Sequence, residues 1–185
     1  MLIGGGRLIS TFKIPCSIFN ISIFSSKSAA MLDDKVHFIK HDYIPLLQTL
    51  TADHKAQWGK MDAQQMVEHM RDIFKLANGK ILVPLLNVDP ERLARSRAFL
   101  LTEDPFPINI KGAGVPEEPR PHKYSSLTEA IAKLEPEIEE VFTVYAADPN
   151  KLLMHPVFGE LDYELQIRYL DKHVRHHLRQ FGLVD

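Results

Sequence analysis

The chain has 185 residues, which provides for one domain with a hydrophobic core but not comfortably for two. The formal net charge of −2 gives no electrostatic basis for binding a nucleic acid backbone, and the single cysteine, Cys16, excludes an intramolecular disulfide and a cysteine-based zinc cluster. No run of about 18 or more apolar residues is present, so the sequence predicts no membrane span. The unusual count is nine histidines, and their placement carries most of the functional argument.

Residues 1–30 are predicted to lie outside the folded domain, which we place at residues 31–185. The segment has no acidic residue, carries Arg7, Lys13 and Lys27, and includes a semi-apolar run over 14–24 that proline and polar residues interrupt. Three interpretations stay open. Met31 is the true start and the preceding codons are upstream sequence, or the segment is a disordered or transit-like extension, or it is a signal peptide.

The first helix is predicted from Asp33, a suitable N-cap, to Leu50. Apolar residues recur at helical spacing between these two positions. Pro45 lies inside the pattern, and because proline has no backbone N–H it should kink or divide the helix.

The second helix is predicted to begin near Asp62, as its N-cap, and to end at Asn78 and Gly79. On an ideal helical wheel, His69 lies at the edge of the apolar stripe of this helix. The stripe consists of Met66, Met70, Ile73 and Ala77.

A long irregular connection, Lys80 to Tyr124, separates the second and third long helices. Within it, Asp89 followed by Pro90 predicts a short helix to about Leu101. The rest is rich in proline and includes Gly112-x-Gly114, which lacks the third glycine and the preceding strand of a nucleotide-binding motif. A connection of this length inside a domain is typical of a functional lid or a mobile loop.

The third long helix is predicted to begin at Ser126, which forms a capping box with Glu129. Pro136 falls within the helix and predicts a kink but not an end. The apolar residues follow strict steps of four and three, which is the spacing of a helix packed nearly antiparallel in a bundle. They are Leu127, Ile131, Leu134, Ile138, Val141 and Tyr145.

The last helix is predicted from Asp162 to Phe181, with Gly182 as its C-terminal stop. Its cationic side chains fall on one face, and the pattern favours a solvated surface over an anion site. The opposite face, which carries His173 and His177, should therefore point into the domain. The cationic row consists of Arg168, Lys172, Arg175 and Arg179.

Two histidines at positions i and i+4 can hold one metal ion, because their rings are neighbours on the helix surface. His173 and His177 have this spacing, and His69 is the best third ligand because it is the other histidine within a core helix. The alternative from spacing alone is a set of packed, hydrogen-bonded histidines that bind no metal. The rival ligand His176 is predicted to be exposed or to lie behind the ligands.

The remaining loop histidines, His54, His122 and His155, are predicted to be mostly exposed to solvent. Of these, His155 is the most interesting, because it precedes the last helix by a few residues.

Two separated motifs resemble the DinB-like metalloenzymes, and more narrowly an uncharacterised DinB-related subfamily. The first motif is WGKMDAQQMVEH over residues 58–69; the second is HPVFGEL over 155–161, followed by KH at 172–173 and HHLRQFG at 176–182. The resemblance covers roughly Leu32 to Leu183. It implies an all-α, DinB-like four-helix bundle in which the long irregular connection lies between helices two and three.

The resemblance also implies a divalent metal ion, zinc or nickel, held by one histidine of the second helix and an H-x-x-x-H pair of the last helix. These positions correspond to His69, His173 and His177. The implied function is that of a metal-dependent enzyme acting on a small molecule, either a hydrolase or an S-transferase that uses a low-molecular-weight thiol. Glu68 and Asp72 are weak candidates for a catalytic base or for a group that orients a ligand.

The competing hypothesis is a non-catalytic module that binds metal or mediates dimerisation, because a helical bundle buries its seams without a metal. Tyr169 and Gln166 could line a pocket, although a tyrosine at this position is more typical of a core. We further expect a cytoplasmic homodimer with no nucleic acid or membrane partner.

Overall fold

The computed structural model describes residues 29–108 and 118–185, and it is mostly helical. The expectations for residues 1–28, including Cys16, and for Gly112-x-Gly114 lie outside these described residues. Five helices and one small two-stranded sheet are found in the described part. The helices are α1 (residues 29–47), α2 (Ala63–Ala77), α3 (Pro90–Leu100), α4 (Leu127–Ala147) and α5 (Tyr163–Gln180), and the strands are β1 (Leu153–His155) and β2 (Gly159–Leu161).

Helix α1 differs from the sequence prediction at both ends. Asp33 is not an N-cap, because residues 29–32 are already helical, and the helix ends at Leu47 rather than Leu50. The regular α-helix is interrupted by a π turn, Phe38–Asp42, just before Pro45. Since Pro45 has no N–H to donate to the carbonyl four residues earlier, an irregular turn at this point is the expected response.

The predicted N-caps of the other helices are confirmed, since each accepts a hydrogen bond from the backbone N–H three residues later. Asp62 and Gln65 form a complete capping box. At α4 the predicted box is incomplete, because the Glu129 carboxylate accepts from the backbone N–H of Ser125 rather than from the N-cap residue. The four N-caps are Asp62, Asp89, Ser126 and Asp162.

The hydrophobic core is shared by α1, α2, α4 and α5, and α2 packs along α4. All six residues of the predicted α4 seam are buried, and Pro136 lies inside the helix without ending it. The predicted stripe of α2 is confirmed for three residues, whereas Ile73 is only partly buried. The burial pattern of these helices was therefore readable from sequence periodicity.

A short antiparallel hairpin precedes α5, and the sequence analysis did not predict it. Strands β1 and β2 pair with Met154 opposite Glu160 and His155 opposite Gly159. The Tyr145 hydroxyl donates a hydrogen bond of 3.1 Å to the backbone carbonyl of Leu161, which ties β2 to α4. Strands of three residues are too short to show the alternation by which a strand is recognised in a sequence.

The prediction of a solvated cationic face on α5 is wrong for Arg168 and Lys172, which the segment that follows α3 covers, whereas Arg175 and Arg179 are partly exposed. Arg168 and Lys172 are buried, with relative exposures of 5% and 7%. The Lys172 Nζ donates to the backbone carbonyls of Thr102 and Asp104, both at 2.6 Å, and Arg168 pairs with Glu103 at 3.6 Å. Long cationic side chains can bury their stems where their charged ends find acceptors.

Among the described residues, none of the helices has the length and apolar character needed to cross a bilayer.

Candidate metal centre

The three histidines selected from the sequence lie together between α2 and α5. The Nε2 atom of His173 is 3.2 Å from Nε2 of His69 and 3.1 Å from Nε2 of His177. Their ligand atoms all lie within 4.8 Å of one another. His177 is buried, whereas His69 and His173 are partly exposed.

The two nitrogen–nitrogen distances from His173 fit a shared metal ion. For nitrogen–metal bonds of about 2.0–2.1 Å, two ligand nitrogens lie about 2.9 Å apart at a right angle and about 3.4 Å apart at the tetrahedral angle. The two distances that involve His173 fall within this interval. These two distances are therefore those expected between nitrogens that share one divalent ion.

Without a metal ion, hydrogen bonds between the three rings cannot satisfy all of the ring nitrogens that face one another. The Nε2 of His173 faces two other ring nitrogens, but a neutral ring nitrogen carries either one N–H or one lone pair. It can therefore make one good hydrogen bond in the ring plane, not two. A cation at the centre would instead accept a lone pair from each of the three rings, which is the arrangement found in three-histidine metal sites.

The electrostatics keep all three rings in the neutral form that a metal requires. Burial lowers the pKa of His69 to about 4, and the charge of the nearby Asp72 carboxylate partly opposes this shift. Burial also lowers the pKa values of His173 and His177 well below the ordinary value, and the neighbouring histidines add to the effect. A neutral imidazole needs no deprotonation before it binds a metal.

The Nδ1 atoms of the two α5 histidines are held by neighbours on the same helix. The Tyr169 hydroxyl lies 2.8 Å from Nδ1 of His173, and Oε1 of Gln180 lies 2.8 Å from Nδ1 of His177. Contacts of this kind orient ligand rings and set their tautomers. Phe106 packs edge-on against His173, with ring centroids 5.9 Å apart, and so forms part of the wall of the site.

The predicted role of Glu68 as a catalytic base is not supported by its contacts. Its carboxylate is buried and accepts hydrogen bonds from the backbone N–H groups of Lys123 (2.8 Å) and Tyr124 (3.1 Å) and from the Gln64 amide (2.9 Å). Burial alone would raise the pKa of Glu68, but these hydrogen bonds outweigh it and leave the pKa below its usual value. Glu68 therefore anchors the end of the long connection to α2.

Asp72, the other weak candidate, lies one turn along α2 from Glu68 in a cationic environment. Its carboxylate is 3.4 Å from Nζ of Lys123 and 3.6 Å from the Arg120 guanidinium. Since its charge also raises the pKa of His69, Asp72 acts on the triad electrostatically. No geometric observation places it at the centre of the site.

His155 is buried, so the prediction of an exposed loop histidine is wrong at this position. Its Nδ1 accepts hydrogen bonds from the backbone N–H groups of Val157 (3.1 Å) and Phe158 (3.3 Å), and its ring packs on Tyr169 with centroids 4.4 Å apart. Burial lowers the pKa of His155 to about 3. The residue closes the hairpin turn and supports Tyr169, which in turn contacts His173.

The other histidines lie outside the triad. His176 is buried between Trp58 and Phe106, with its ring centroid 5.2 Å from that of His177, so it lies behind a ligand rather than in solvent. His122 is exposed, as predicted, and pairs with Asp62 at 2.8 Å. His54 is partly buried, and its Nε2 lies 2.9 Å from the backbone carbonyl of Phe181.

Two residues that contact the triad were not selected from the sequence, namely Gln180 and Phe106. Gln180 follows His177 by three positions, and this spacing could have indicated the contact. Phe106 lies in the irregular connection and shows no such signal.

Comparison with protein families, with curated proteins and with solved structures found no match to this chain.

Proposed function

We propose that the chain is a DinB-like metalloenzyme, a four-helix bundle in which His69, His173 and His177 hold a zinc or nickel ion. The observation that carries the proposal is the convergence of the three Nε2 atoms, two pairs of which are 3.1 and 3.2 Å apart. In this proposal α1, α2, α4 and α5 are the four bundle helices, since they share the core. The irregular connection and α3 then lie between the second and third of them.

The chemistry follows from the donor set. When bound to three neutral imidazoles, a divalent ion keeps its full charge, so it lowers the pKa of a coordinated water or thiol and polarises a carbonyl group. The residues of the chain position the ion and limit access to it. His69 and His173 are partly exposed, and Phe106 and Tyr169 pack against the ring of His173.

The substrate in this proposal is a small molecule, as the resemblance to DinB-like metalloenzymes implies. The reaction is either hydrolysis or the transfer of a low-molecular-weight thiol. Asp72 is the acidic residue of the site that could orient a substrate through its charge. We assign Glu68 no such role in this proposal, because its carboxylate accepts hydrogen bonds from backbone N–H groups.

The test uses untagged protein loaded with zinc or nickel and a panel of activated esters, amides, and electrophiles paired with glutathione or cysteine. We expect turnover that requires the metal and that falls at least about 100-fold in His173→Ala. The matched control is His41→Ala, which removes an exposed histidine of α1 and should keep full turnover. Turnover that survives both chelation and His173→Ala would contradict the proposal.

Stoichiometric metal without turnover on any member of the panel would instead favour the non-catalytic module.

We also propose that the protein is a homodimer, because Leu82 and Val88 in the connection are 84% and 76% exposed. Homodimer interfaces commonly cover such apolar side chains. Sedimentation equilibrium of the full chain tests this, and a monomer at all concentrations would contradict it.

A further inference from the structure

The side-chain amide of Gln180 bridges the triad and the turn before α2. Its Oε1 lies 2.8 Å from Nδ1 of His177, and its Nε2 lies 2.8 Å from the backbone carbonyl of Trp58. Gln180 is buried, with 3% relative exposure. The amide is therefore held at both ends, with one end on a candidate metal ligand.

The chemistry of the two partners fixes the orientation of this amide. A backbone carbonyl can only accept a hydrogen bond, so the end of the Gln180 side chain that faces Trp58 must be the NH2 group. The oxygen must then face His177, and because an amide oxygen only accepts, the Nδ1 of His177 must carry the proton. In a neutral imidazole the other nitrogen, Nε2, then has the lone pair, and it is Nε2 that faces His173.

The turn around Trp58 is shaped to receive this amide. Gly59 has φ of +82°, and a Cβ atom added there would lie 2.5 Å from Nε2 of Gln180. The same segment is tied to the end of α5 through the backbone, since the N–H of Gln57 donates to the carbonyl of Gln180 at 2.7 Å. A Cβ at Gly182 would in turn lie 2.6 Å from Nε2 of Gln57, so each of the two glycines leaves room for the amide of one glutamine.

We propose that Gln180, oriented by the Trp58–Gly59 turn, is the positioning residue that holds His177 in the Nδ1–H tautomer and presents its Nε2 lone pair to a metal. This inference rests on the metal site of the proposed function and assigns a role to two parts of the sequence that the triad leaves unexplained. Hydrogen bonds join the turn at Trp58 and Gly59 to the end of α5, and in this proposal the two segments together position His177. Gln180 does not contact the metal in this proposal, and it acts only through His177.

The first test needs no metal. Long-range proton–nitrogen correlation spectra of the metal-free full chain report which ring nitrogen of His177 carries the proton. We expect the Nδ1–H tautomer in the wild type and a mixture of tautomers in Gln180→Leu, which keeps the bulk of the side chain but removes both hydrogen bonds. A wild-type His177 protonated on Nε2 would overturn the proposal, whether or not any variant folds.

The second test measures zinc affinity by competition with a chromogenic chelator. Gln180→Leu should weaken zinc binding by about 10- to 100-fold, the range usual for loss of a group that orients a ligand. Gln180→Glu, which keeps an acceptor for the His177 N–H, should recover part of this loss. Unchanged affinity in folded Gln180→Leu would overturn the proposal.

A pair of glycine variants separates the effect on the amide from backbone strain. Gly59 and Gly79 have nearly equal φ values of +82° and +81°, but a Cβ at Gly79 would meet the side chain of Leu153 at 3.1 Å instead of the amide of Gln180. Gly59→Ala should lower zinc affinity, whereas Gly79→Ala should keep it at a similar cost in stability. Equal zinc affinity in the two variants would contradict the role of the turn. If the wild type binds no zinc, the proposed function fails, and the tautomer measurement still decides the role of Gln180.

Discussion

Replacing Glu68 by glutamine separates an anchoring role from a catalytic one. The Glu68 carboxylate accepts from the Tyr124 N–H and the Gln64 amide through one oxygen and from the Lys123 N–H through the other. Glutamine can keep the first oxygen, but its NH2 group would then face the N–H of Lys123. One hydrogen bond to a charged acceptor is lost and the N–H of Lys123 loses this partner, which should cost about 2–3 kcal/mol.

For a domain of this size the loss corresponds to a decrease in melting temperature of roughly 4–12 °C. Thermal unfolding followed by circular dichroism measures it, and Glu135→Gln serves as the control because Glu135 is exposed on α4. Zinc affinity should be unchanged, because Glu68 has no hydrogen bond to the triad. An unchanged melting temperature together with lost turnover would refute this reasoning and restore Glu68 as a candidate base.

Three further predictions test other parts of the account. Because burial lowers the pKa of His155 to about 3, this residue binds a proton in the unfolded state first as the pH falls below about 6.5, and it should contribute about 2–3 kcal/mol to the decrease in the free energy of unfolding between pH 7 and pH 4.5. The triad histidines add to the total decrease, so urea titrations should show a decrease in His155→Asn that is smaller than that of the wild type by the His155 contribution. Leu134→Ala should cost about 2–5 kcal/mol because Leu134 is fully buried, while Leu152→Ala, at an exposed position, should stay within about 0.5 kcal/mol. Lys172→Met removes two hydrogen bonds to the segment that carries Phe106, so amide hydrogen exchange at residues 102–106 should accelerate at least about tenfold. Unchanged exchange would show that Lys172 does not hold the segment.

The helix positions were largely predictable because the signals that set them are local. An N-cap such as Asp62 bonds to a backbone group three residues away, and the burial of α4 follows from the spacing of its own apolar residues. At Asp33 the local signal was misleading. Residues 29–32 are already helical, so Asp33 lies within the helix and not at its N-terminal end.

The histidine cluster was predictable in part. The pair His173 and His177 follows from helical spacing on a single element, whereas the approach of His69 depends on the packing of α2 against α5 and was selected from its wheel position and from the resemblance. The orientation of His177 could not be foreseen in full, because it involves the Trp58 carbonyl, 122 residues away from Gln180 in sequence.

The error at Arg168 and Lys172 has a physical cause, which is that a helical wheel describes a face but not the segment that covers it. The backbone acceptors of Lys172 lie 68 and 70 residues away, and the backbone donors to Glu68 lie 55 and 56 residues away. All of them belong to the irregular connection, whose path no periodicity specifies. These contacts tie Lys172 and Glu68 to the irregular connection.

The metal content of the protein tests the central claim most directly. Untagged wild-type protein, His173→Ala and the control His41→Ala should be purified without chelators and measured by elemental analysis together with circular dichroism. The account predicts about one equivalent of zinc or nickel in the wild type and in His41→Ala, and almost none in a helical His173→Ala. A wild type that holds no metal, and takes up none when zinc or nickel is added in excess, would contradict it.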